Sequence, residues 1–270
     1  MMAIAREAGT LLMHHFAQRV QIEYKGDVDL VTVADRASEE LIIRRIGEHW
    51  PGHDIMAEEG TRRESGSDYK WYVDPLDGTT NFAHGFPVFC VSIGLEHRGA
   101  IVAGVLFDPT RDELFSAAKS AGAHLNGRPI HVSKTLRLAE SLLGTGFPSH
   151  KRHKNPNIHF YQQLTLRSHG VRRAGSAALD LACVAAGRFD GFWEFNLKPW
   201  DTAAGVLLVT EAGGRISDFS GGEFQIASRE LLATNGLIHE ELLKEFEQIF
   251  GGRELEKLPS PVEYAKTRGS

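Results

Sequence analysis

Residues 71–82 constrain this chain more than any other stretch, because an apolar, strand-like run passes there into a turn rich in oxygen ligands. The turn carries two carboxylates, Asp74 and Asp77. Pro75 favours an extended conformation for Asp74, and Gly78 permits a backbone bend that a residue with a Cβ would resist. We therefore expect the two carboxylates to converge on one site.

Converging carboxylates repel each other unless a cation lies between them, and hard oxygen ligands of this kind suit Mg²⁺. Thr79 and Thr80 follow where a short helix is predicted to begin, and the N–H groups of a helix start attract phosphate. The residues therefore predict a metal and a phosphate at one loop. A simple surface turn is the alternative at this point, because Asp, Pro and Gly are the commonest turn residues.

Two segments carry a resemblance to a known family. Residues 74–82 read Asp-Pro-Leu-Asp-Gly-Thr-Thr-Asn-Phe, and residues 200–205 read Trp-Asp-Thr-Ala-Ala-Gly, followed by Glu-Ala-Gly-Gly at 211–214. They are similar to the two signatures of the inositol monophosphatase family, in the expected order. The likeness runs from the first helix to about residue 250. It implies a bacterial-type inositol-1-monophosphatase with the layered αβαβα sugar-phosphatase fold of that family.

The composition is ordinary for a globular protein with a large core: 270 residues, 42% hydrophobic and 24% charged. The net charge of −5 gives no general attraction to nucleic acid. Cys90 and Cys183 each lie within an apolar stretch, which predicts two buried, reduced thiols and a cytoplasmic setting. The chain shows no basic leader and no run of about 18 apolar residues, so neither secretion nor a membrane span is expected.

Hydrophobic periodicity divides the chain into an α+β half, about 1–140, and an α/β half, about 141–250. Together they are expected to form one domain, with a mobile tail over 251–270. A polar link is expected over 25–32, and a charged loop over 61–70 is expected to be able to move over a site. Elements predicted in the first half are helices from the first residue and from about 35 to a stop at 51–52, strands over 54–57, 88–96, 100–107 and 113–117, and a hairpin turn at 126–127.

The second half is predicted to alternate between strands and helices. Asp74 and Asp77 lie in the first half and Asp201 lies in the second, so the site is expected between the halves. The elements predicted here are strands over 141–144, 170–173, 189–194, 215–218 and 231–234, and helices over 157–166, 176–186, 201–211 and 237–250.

The resemblance also implies roles for particular residues. A water activated by two or three Mg²⁺ ions would attack a small phosphate monoester, with Thr79 polarised by Asp35 and with Glu58 orienting the water. Glu59 would point away, because adjacent side chains of an extended segment face opposite sides. Lys25 matches a lysine near the metals.

The implied metal ligands are Glu58, Asp74, the carbonyl of Leu76, Asp77 and Asp201. The implied substrate-binding residues are Asp77, Gly78, Thr79, Gly175, Ser176, Ala177, Glu194 and Asp201.

Substrate choice is less constrained by these residues. Glu194 matches a glutamate that hydrogen-bonds an inositol hydroxyl, which favours inositol-1-phosphate. Fructose 1,6-bisphosphate, a nucleotide 3′-phosphate and histidinol phosphate are alternatives, because the signatures recognise only the phosphate group. A non-catalytic protein that binds RNA or a transcription complex is the alternative of another class, supported by the basic run at 150–154. The likeness further implies a homodimer and inhibition by Li⁺.

Overall fold

The computed structural model describes residues 1–18, 22–24, 30–147, 155–253, 257, 260–262 and 266. Lys25 and the basic run at 150–154 lie outside these residues, as does most of the predicted tail. The helices are α1 (Met2–Ala17), α2 (Val33–His49), α3 (Thr79–Ala83), α4 (Asn157–Arg167), α5 (Ala177–Ala185), α6 (Pro199–Glu211) and α7 (His239–Phe250), with one 3₁₀ turn at Leu138–Glu140.

The strands form two large sheets and one small pair. Their bounds are β1 (Ile22–Tyr24), β2 (Leu30–Thr32), β3 (Asp54–Ala57), β4 (Arg62–Arg63), β5 (Tyr69–Asp77), β6 (Cys90–His97), β7 (Ala100–Asp108), β8 (Glu113–Ala118), β9 (Ala123–Leu125), β10 (Arg128–Ile130), β11 (Leu142–Thr145), β12 (Gly170–Arg172), β13 (Gly191–Phe195), β14 (Arg215–Ser217) and β15 (Glu230–Thr234). The eight-stranded sheet has the order β10-β9-β8-β7-β6-β5-β3-β4, the five-stranded sheet has the order β12-β11-β13-β15-β14, and β1 pairs with β2.

The two halves differ in how their strands pair. In the eight-stranded sheet β3 and β5 are parallel, and the other neighbouring strands are antiparallel. In the five-stranded sheet β11 runs parallel to both β12 and β13, whereas β15 runs antiparallel to β13 and β14. The expected contrast between an α+β half and an α/β half is therefore present in the pairing.

Helices and sheets alternate in five layers. Helices α1 and α2 pack on one face of the eight-stranded sheet, α5 and α6 lie between the two sheets, and α4 and α7 cover the far face of the five-stranded sheet. Three apolar clusters fill the boundaries between the layers: one around Trp71 beneath α1 and α2, one around Leu208 on both faces of α5 and α6, and one around Trp193 beneath α4 and α7. Burial of this apolar surface is the main source of stability. The predicted αβαβα fold is confirmed.

Helix α6 packs unusually close to its neighbours because the contact residues are small. A Cβ on Gly94 of β6 would lie 2.6 Å from the Cβ of Ala203, and one on Gly104 of β7 would lie 2.8 Å from the Cα of Ala204. On its other side, a Cβ on Gly205 would lie 2.5 Å from a methyl carbon of Leu181 in α5. The small residues of the second signature therefore let α6 sit directly on the eight-stranded sheet, which sets the position of its first turn.

Three local predictions need correction. The polar link predicted over 25–32 ends in β2, whose backbone pairs with β1. The loop predicted over 61–70 contains the short edge strand β4 on β3, and Ser65 donates its backbone N–H to Asp54, so this segment is tied to the sheet edge. Cys183 is only half-buried, whereas Cys90 is fully buried as predicted. In each case a tertiary partner decides the outcome, and such partners are not visible in local composition.

Candidate active site

The turn at the end of β5 is built by an irregular strand and a left-handed glycine. Pairing of β5 with β6 shifts register between Asp74 and Asp77, which breaks the alternation of side chains and lets both acids face one side. Gly78 has φ of 102°, and a Cβ there would lie 2.8 Å from the Val88 carbonyl oxygen. Both the conformation and the space therefore require glycine. Helix α3 begins immediately afterwards.

A cleft of about 400 Å³ lies between the two halves of the chain. The loop over 61–70 contributes no lining residue. The candidate residues that line the cleft are Glu58, Asp74, Leu76, Asp77, Gly78, Thr79, Gly175, Ser176, Ala177, Glu194 and Asp201. The structure therefore brings together residues from the ends of β3, β5 and β13 and from the first turns of α3, α5 and α6.

Protein hydrogen bonds hold the three aspartates in the cleft. Asp74 accepts a bond of 3.0 Å from the Leu76 N–H within the turn. Asp77 accepts bonds from the Ser176 hydroxyl (2.6 Å) and from the N–H of Ala178 (2.7 Å), both at the start of α5. This contact joins the two halves at the cleft. Asp201 accepts the N–H of residue 198 over 2.7 Å, which caps α6 and fixes the carboxylate in the first helical turn.

The carboxylates strongly perturb one another. Burial raises the pKa of Asp74 well above its usual range, and the charges of Glu58, Asp77 and Asp201 raise it further. Burial also raises the pKa of Asp77 to about 6 and raises that of Asp201. Buried acids that lie close together raise one another's pKa in this way.

The donor chemistry of this set fits a hard divalent cation. All four side chains offer carboxylate oxygen, and the Leu76 carbonyl lines the same cleft. Within the described residues, no three His, Cys, Asp or Glu side chains already stand in the arrangement of a formed metal site. A cation between these carboxylates would offset their mutual repulsion.

Thr79 is positioned by a buried acid behind the cleft. Its hydroxyl oxygen lies 3.0 Å from Asp35 Oδ1 and 3.1 Å from the Leu76 carbonyl oxygen, so these two acceptors share its single proton. Asp35 is 0% exposed and its other oxygen accepts from both the N–H and the hydroxyl of Thr32. Burial raises the pKa of Asp35, and these hydrogen bonds oppose that rise. Because the Thr79 proton is engaged, the lone pairs of the hydroxyl are available toward the cleft.

Comparison with known proteins identifies the relationship. The model of the Inositol monophosphatase family matches residues 1–250. The chain belongs to this family. It is 44% identical over 248 residues to the inositol-1-monophosphatase of Mesorhizobium japonicum, with 90% of this chain and 93% of the relative covered. It is also 44% identical to the Nus factor SuhB of Pseudomonas aeruginosa, with 86% of this chain and 88% of that protein covered.

A solved structure supports the same assignment. The inositol monophosphatase from Anabaena (Nostoc) sp. PCC 7120 has a TM-score of 0.83 and 45% identity, covering 92% of this chain and 93% of its own. The inositol monophosphatase family is one of phosphatases that act on small phosphate monoesters and are generally metal-dependent. The chain is therefore a phosphatase of this family.

The loop that carries the family glutamate is held by a residue that sequence reasoning missed. Glu58 lines the cleft and Glu59 does not, in agreement with the preference for Glu58. Glu39 of α2, only 5% exposed, accepts the N–H of Glu59 over 2.7 Å and both the N–H and the hydroxyl of Thr61. Its position four residues after Asp35, on the same helix face, was the available signal.

Sequence reasoning missed two further residues that line the cleft. Asp180 and Arg173 both line the cleft beside Glu194. Burial raises the pKa of Glu194 to about 8, the charge of Asp77 adds to this, and Arg173 opposes it. Burial likewise raises the pKa of Asp180, with contributions from the charges of Glu194 and Asp77. Asp180 is one turn into α5 from Ser176, and that helical spacing could have indicated it.

Asn81 links the signature loop to the other half of the family fold. Its side-chain amide donates to the Val88 carbonyl over 2.8 Å and to the Ala174 carbonyl over 2.9 Å. Gly175 follows with φ of 88°, and a Cβ there would lie 3.0 Å from the same amide nitrogen. Asn81 therefore fixes the approach of the Gly175 turn to the cleft.

Proposed function

We propose that this phosphatase uses Mg²⁺ to hydrolyse inositol-1-phosphate to inositol and phosphate. The observation that carries the proposal is the meeting of Glu58, Asp74, Asp77 and Asp201 in one cleft, where burial raises the pKa of the three aspartates and neighbouring carboxylates raise those of Asp74 and Asp201 further. Two or three Mg²⁺ ions, when bound, would polarise the phosphate and acidify an attacking water. Glu58, Asp74, the Leu76 carbonyl, Asp77 and Asp201 would hold them.

The chain itself orients the nucleophile. Thr79 directs its proton to Asp35 and to the Leu76 carbonyl, so its oxygen accepts a hydrogen bond from the attacking water. The Glu58 carboxylate accepts the second proton of that water. Two acceptors that share one water leave its lone pair directed at phosphorus, which is the positioning that phosphoryl transfer needs.

The remaining cleft residues bind the substrate. The first N–H groups of α3, after Gly78, have no partner within the helix and face a phosphate. Glu194 accepts hydrogen bonds from ring hydroxyls of the polyol. The Gly175 turn, held by Asn81, supplies backbone groups on the same wall. A compact ring with several hydroxyls fits these donors and acceptors, which favours inositol-1-phosphate over the other candidate phosphates.

One experiment tests the proposed function directly. Phosphate release is measured with inositol-1-phosphate, fructose 1,6-bisphosphate, a nucleoside 3′-phosphate and histidinol phosphate, with Mg²⁺ or with chelator. We expect the highest kcat/KM with inositol-1-phosphate, dependence on Mg²⁺, inhibition by millimolar Li⁺, and loss of release in an Asp74→Asn variant. Release that persists in chelator, or that is highest with another ester, would contradict the metal or the substrate assignment respectively.

A second candidate function rests on the names of relatives. Several proteins similar to this chain are named Nus factor SuhB, among them those of Pseudomonas aeruginosa and Escherichia coli. Binding of RNA or a transcription complex would depend on surface charge rather than on the cleft, so Asp74→Asn would leave it unchanged. The basic run at 150–154, which would support such binding, lies outside the described residues.

Assembly and location complete the proposal. We expect a homodimer, as the family likeness implies, and a molar mass of about twice that of the chain in light scattering after size exclusion would support it. Both cysteines are free, which is consistent with a reducing, cytoplasmic setting. Among the described residues, no helix combines the length and the apolar character needed to cross a membrane.

A further inference from the structure

Gly146, which follows β11, faces the carboxylate of Glu194. A Cβ built on Gly146 would lie 2.1 Å from Glu194 Oε2 and 2.3 Å from Glu194 Oε1, closer than real Cβ atoms approach other atoms. Gly146 is not among the residues with positive φ, so its backbone conformation does not require glycine. Glycine at this position leaves the space that the end of the Glu194 side chain occupies.

A buried network behind the cleft keeps this pair in place. Asn157, at the start of α4 and 0% exposed, donates to the Gly146 carbonyl over 2.7 Å and to the Thr145 hydroxyl over 2.9 Å. The same side chain accepts the indole N–H of Trp193 over 2.6 Å. The Thr145 hydroxyl donates to the Trp193 carbonyl over 2.7 Å. The network thus ties Gly146 to the residue that immediately precedes Glu194.

The network also limits how the site can adapt. Gly146 and Glu194 lie at the ends of adjacent parallel strands, β11 and β13, which pair through Thr145 and Trp193. These strand ends are hydrogen-bonded to each other and to Asn157. A shift of the backbone therefore cannot remove the clash between a methyl group on Gly146 and the Glu194 carboxylate. The movable group is the Glu194 side chain, which would turn away from its present position in the cleft.

We propose that Gly146, held by the Asn157 network, is the position that determines how this enzyme chooses among polyol phosphates. The missing Cβ admits the Glu194 carboxylate to its place on the wall of the cleft. A substrate whose ring hydroxyls reach that wall binds more tightly because of the pair of Gly146 and Glu194. Binding of a short ester that does not reach the wall does not depend on the pair. Gly146 and Asn157 are positioning residues that act through Glu194. This inference rests on the proposed role of Glu194 in the phosphatase.

The test is a double-variant cycle of Gly146→Ala and Glu194→Ala. We expect Gly146→Ala alone to lower kcat/KM for inositol-1-phosphate roughly ten- to a hundredfold, as for a lost charge-assisted hydrogen bond. Glycerol-2-phosphate should change little. In the Glu194→Ala background the added methyl group has room, so Gly146→Ala should cause no further loss. Gly52→Ala is the matched control, because a Cβ there meets nothing within 4 Å.

Thermal unfolding gives a second readout that does not depend on activity. Gly146→Ala should lower Tm by roughly 2–10 °C through overpacking, and Glu194→Ala should restore much of that loss in the double variant. If the single variant does not fold, folding of the double variant supports the proposal and its failure overturns it. Equal losses on both substrates, or additive losses in Tm, also overturn it. If the wild type releases no phosphate from any ester, the proposed function fails, and the Tm cycle still decides whether Gly146 and Glu194 are paired.

Discussion

Hydrogen bonds from protein donors hold the aspartates of this cleft, so substitution by the isosteric asparagine tests the effect of their charge. Asp77 accepts two hydrogen bonds from the start of α5, and Asp201 accepts the N–H of residue 198 in its own helix cap. Asparagine keeps an oxygen for one such contact and removes the negative charge. Substitution of these two aspartates by asparagine therefore tests the effect of the charge without disturbing the fold.

Asp77→Asn and Asp201→Asn should each lower kcat by orders of magnitude at saturating Mg²⁺. The physical reason is the loss of an anionic ligand from the cation that stabilises the developing charge. The free energy of unfolding should not fall, since burial already raises the pKa of both groups and makes their charge costly in the metal-free protein. Phosphate release and urea unfolding measure the two effects. Turnover near the wild-type value in either variant would refute the proposed metal site.

Glu194→Gln should change specificity rather than catalysis. A charge-assisted hydrogen bond to a substrate hydroxyl contributes about 1.5–3 kcal/mol, so kcat/KM for inositol-1-phosphate should fall roughly ten- to a hundredfold. A cation beside Asp77 would lower the pKa of Glu194 toward its ordinary value, so the charge matters in the loaded enzyme. Glycerol-2-phosphate is the comparison substrate. Equal losses on both esters would place Glu194 in the metal site or the fold instead.

At the scale of elements, the position of α6 decides where Asp201 lies. The helix rests on β6 and β7 through Gly94 and Gly104, and the Ser92 hydroxyl donates to the Trp200 carbonyl over 3.0 Å. These contacts bring the first turn of α6 to the end of β5. The second signature therefore works as a packing motif as well as a source of one carboxylate.

Gly104→Ala should displace α6 and so affect both stability and turnover. The new Cβ would lie 2.8 Å from the Cα of Ala204 and 2.9 Å from its carbonyl oxygen, and these backbone atoms cannot rotate away. Overpacking of this kind costs about 1–3 kcal/mol. We expect a lower urea midpoint together with reduced kcat, in contrast to Asp201→Asn, which should reduce kcat alone. A variant with wild-type stability would contradict this prediction. It would show that the sheet shifts to accommodate the methyl group and that α6 does not pack tightly against it.

At the scale of the whole molecule, we expect acid stability to depend on a buried histidine that does not line the cleft. His239, 0% exposed at the start of α7, contacts the Ser217 hydroxyl with Nε2 and the Thr234 hydroxyl with Nδ1, both at 2.9 Å. Burial and, to a lesser extent, the charge of Arg215 lower the pKa of His239 to about 4, against the opposing charge of Glu240. The neutral ring is satisfied on both nitrogens and joins α7 to β14 and β15.

This arrangement predicts a loss of stability on acidification. The unfolded chain takes up a proton at His239 near pH 6.5, whereas the native chain resists it until about pH 4. The stabilisation by the neutral ring is complete above pH 6.5 and is lost between pH 6.5 and 4, amounting to about 3 kcal/mol. His239→Gln removes this titration, so the difference in free energy of unfolding between wild type and variant should narrow or change sign over that interval. A difference that does not vary with pH would contradict the prediction.

Much of the local structure could be predicted because it depends on neighbours in sequence. The turn at Gly78 could be predicted because glycine readily adopts the positive φ found there. The helices and strands of the second half could be predicted from their hydrophobic periodicity to within a few residues. The candidate residues of the first signature lie within a few positions of one another and so share one turn. The roles of these residues, and the single domain over 1–250, stay predictions.

The family, the layered fold and the two signatures that carry the carboxylates follow from the amino-acid sequence, because each signature is a short segment with its own backbone requirements. How the signatures meet depends on tertiary packing. Ser176 donates to Asp77 from 99 residues away, and Glu194 lies in the space that Gly146 leaves open. Such contacts depend on close packing between distant segments, and spacing along a chain does not record the distance between two side chains in space.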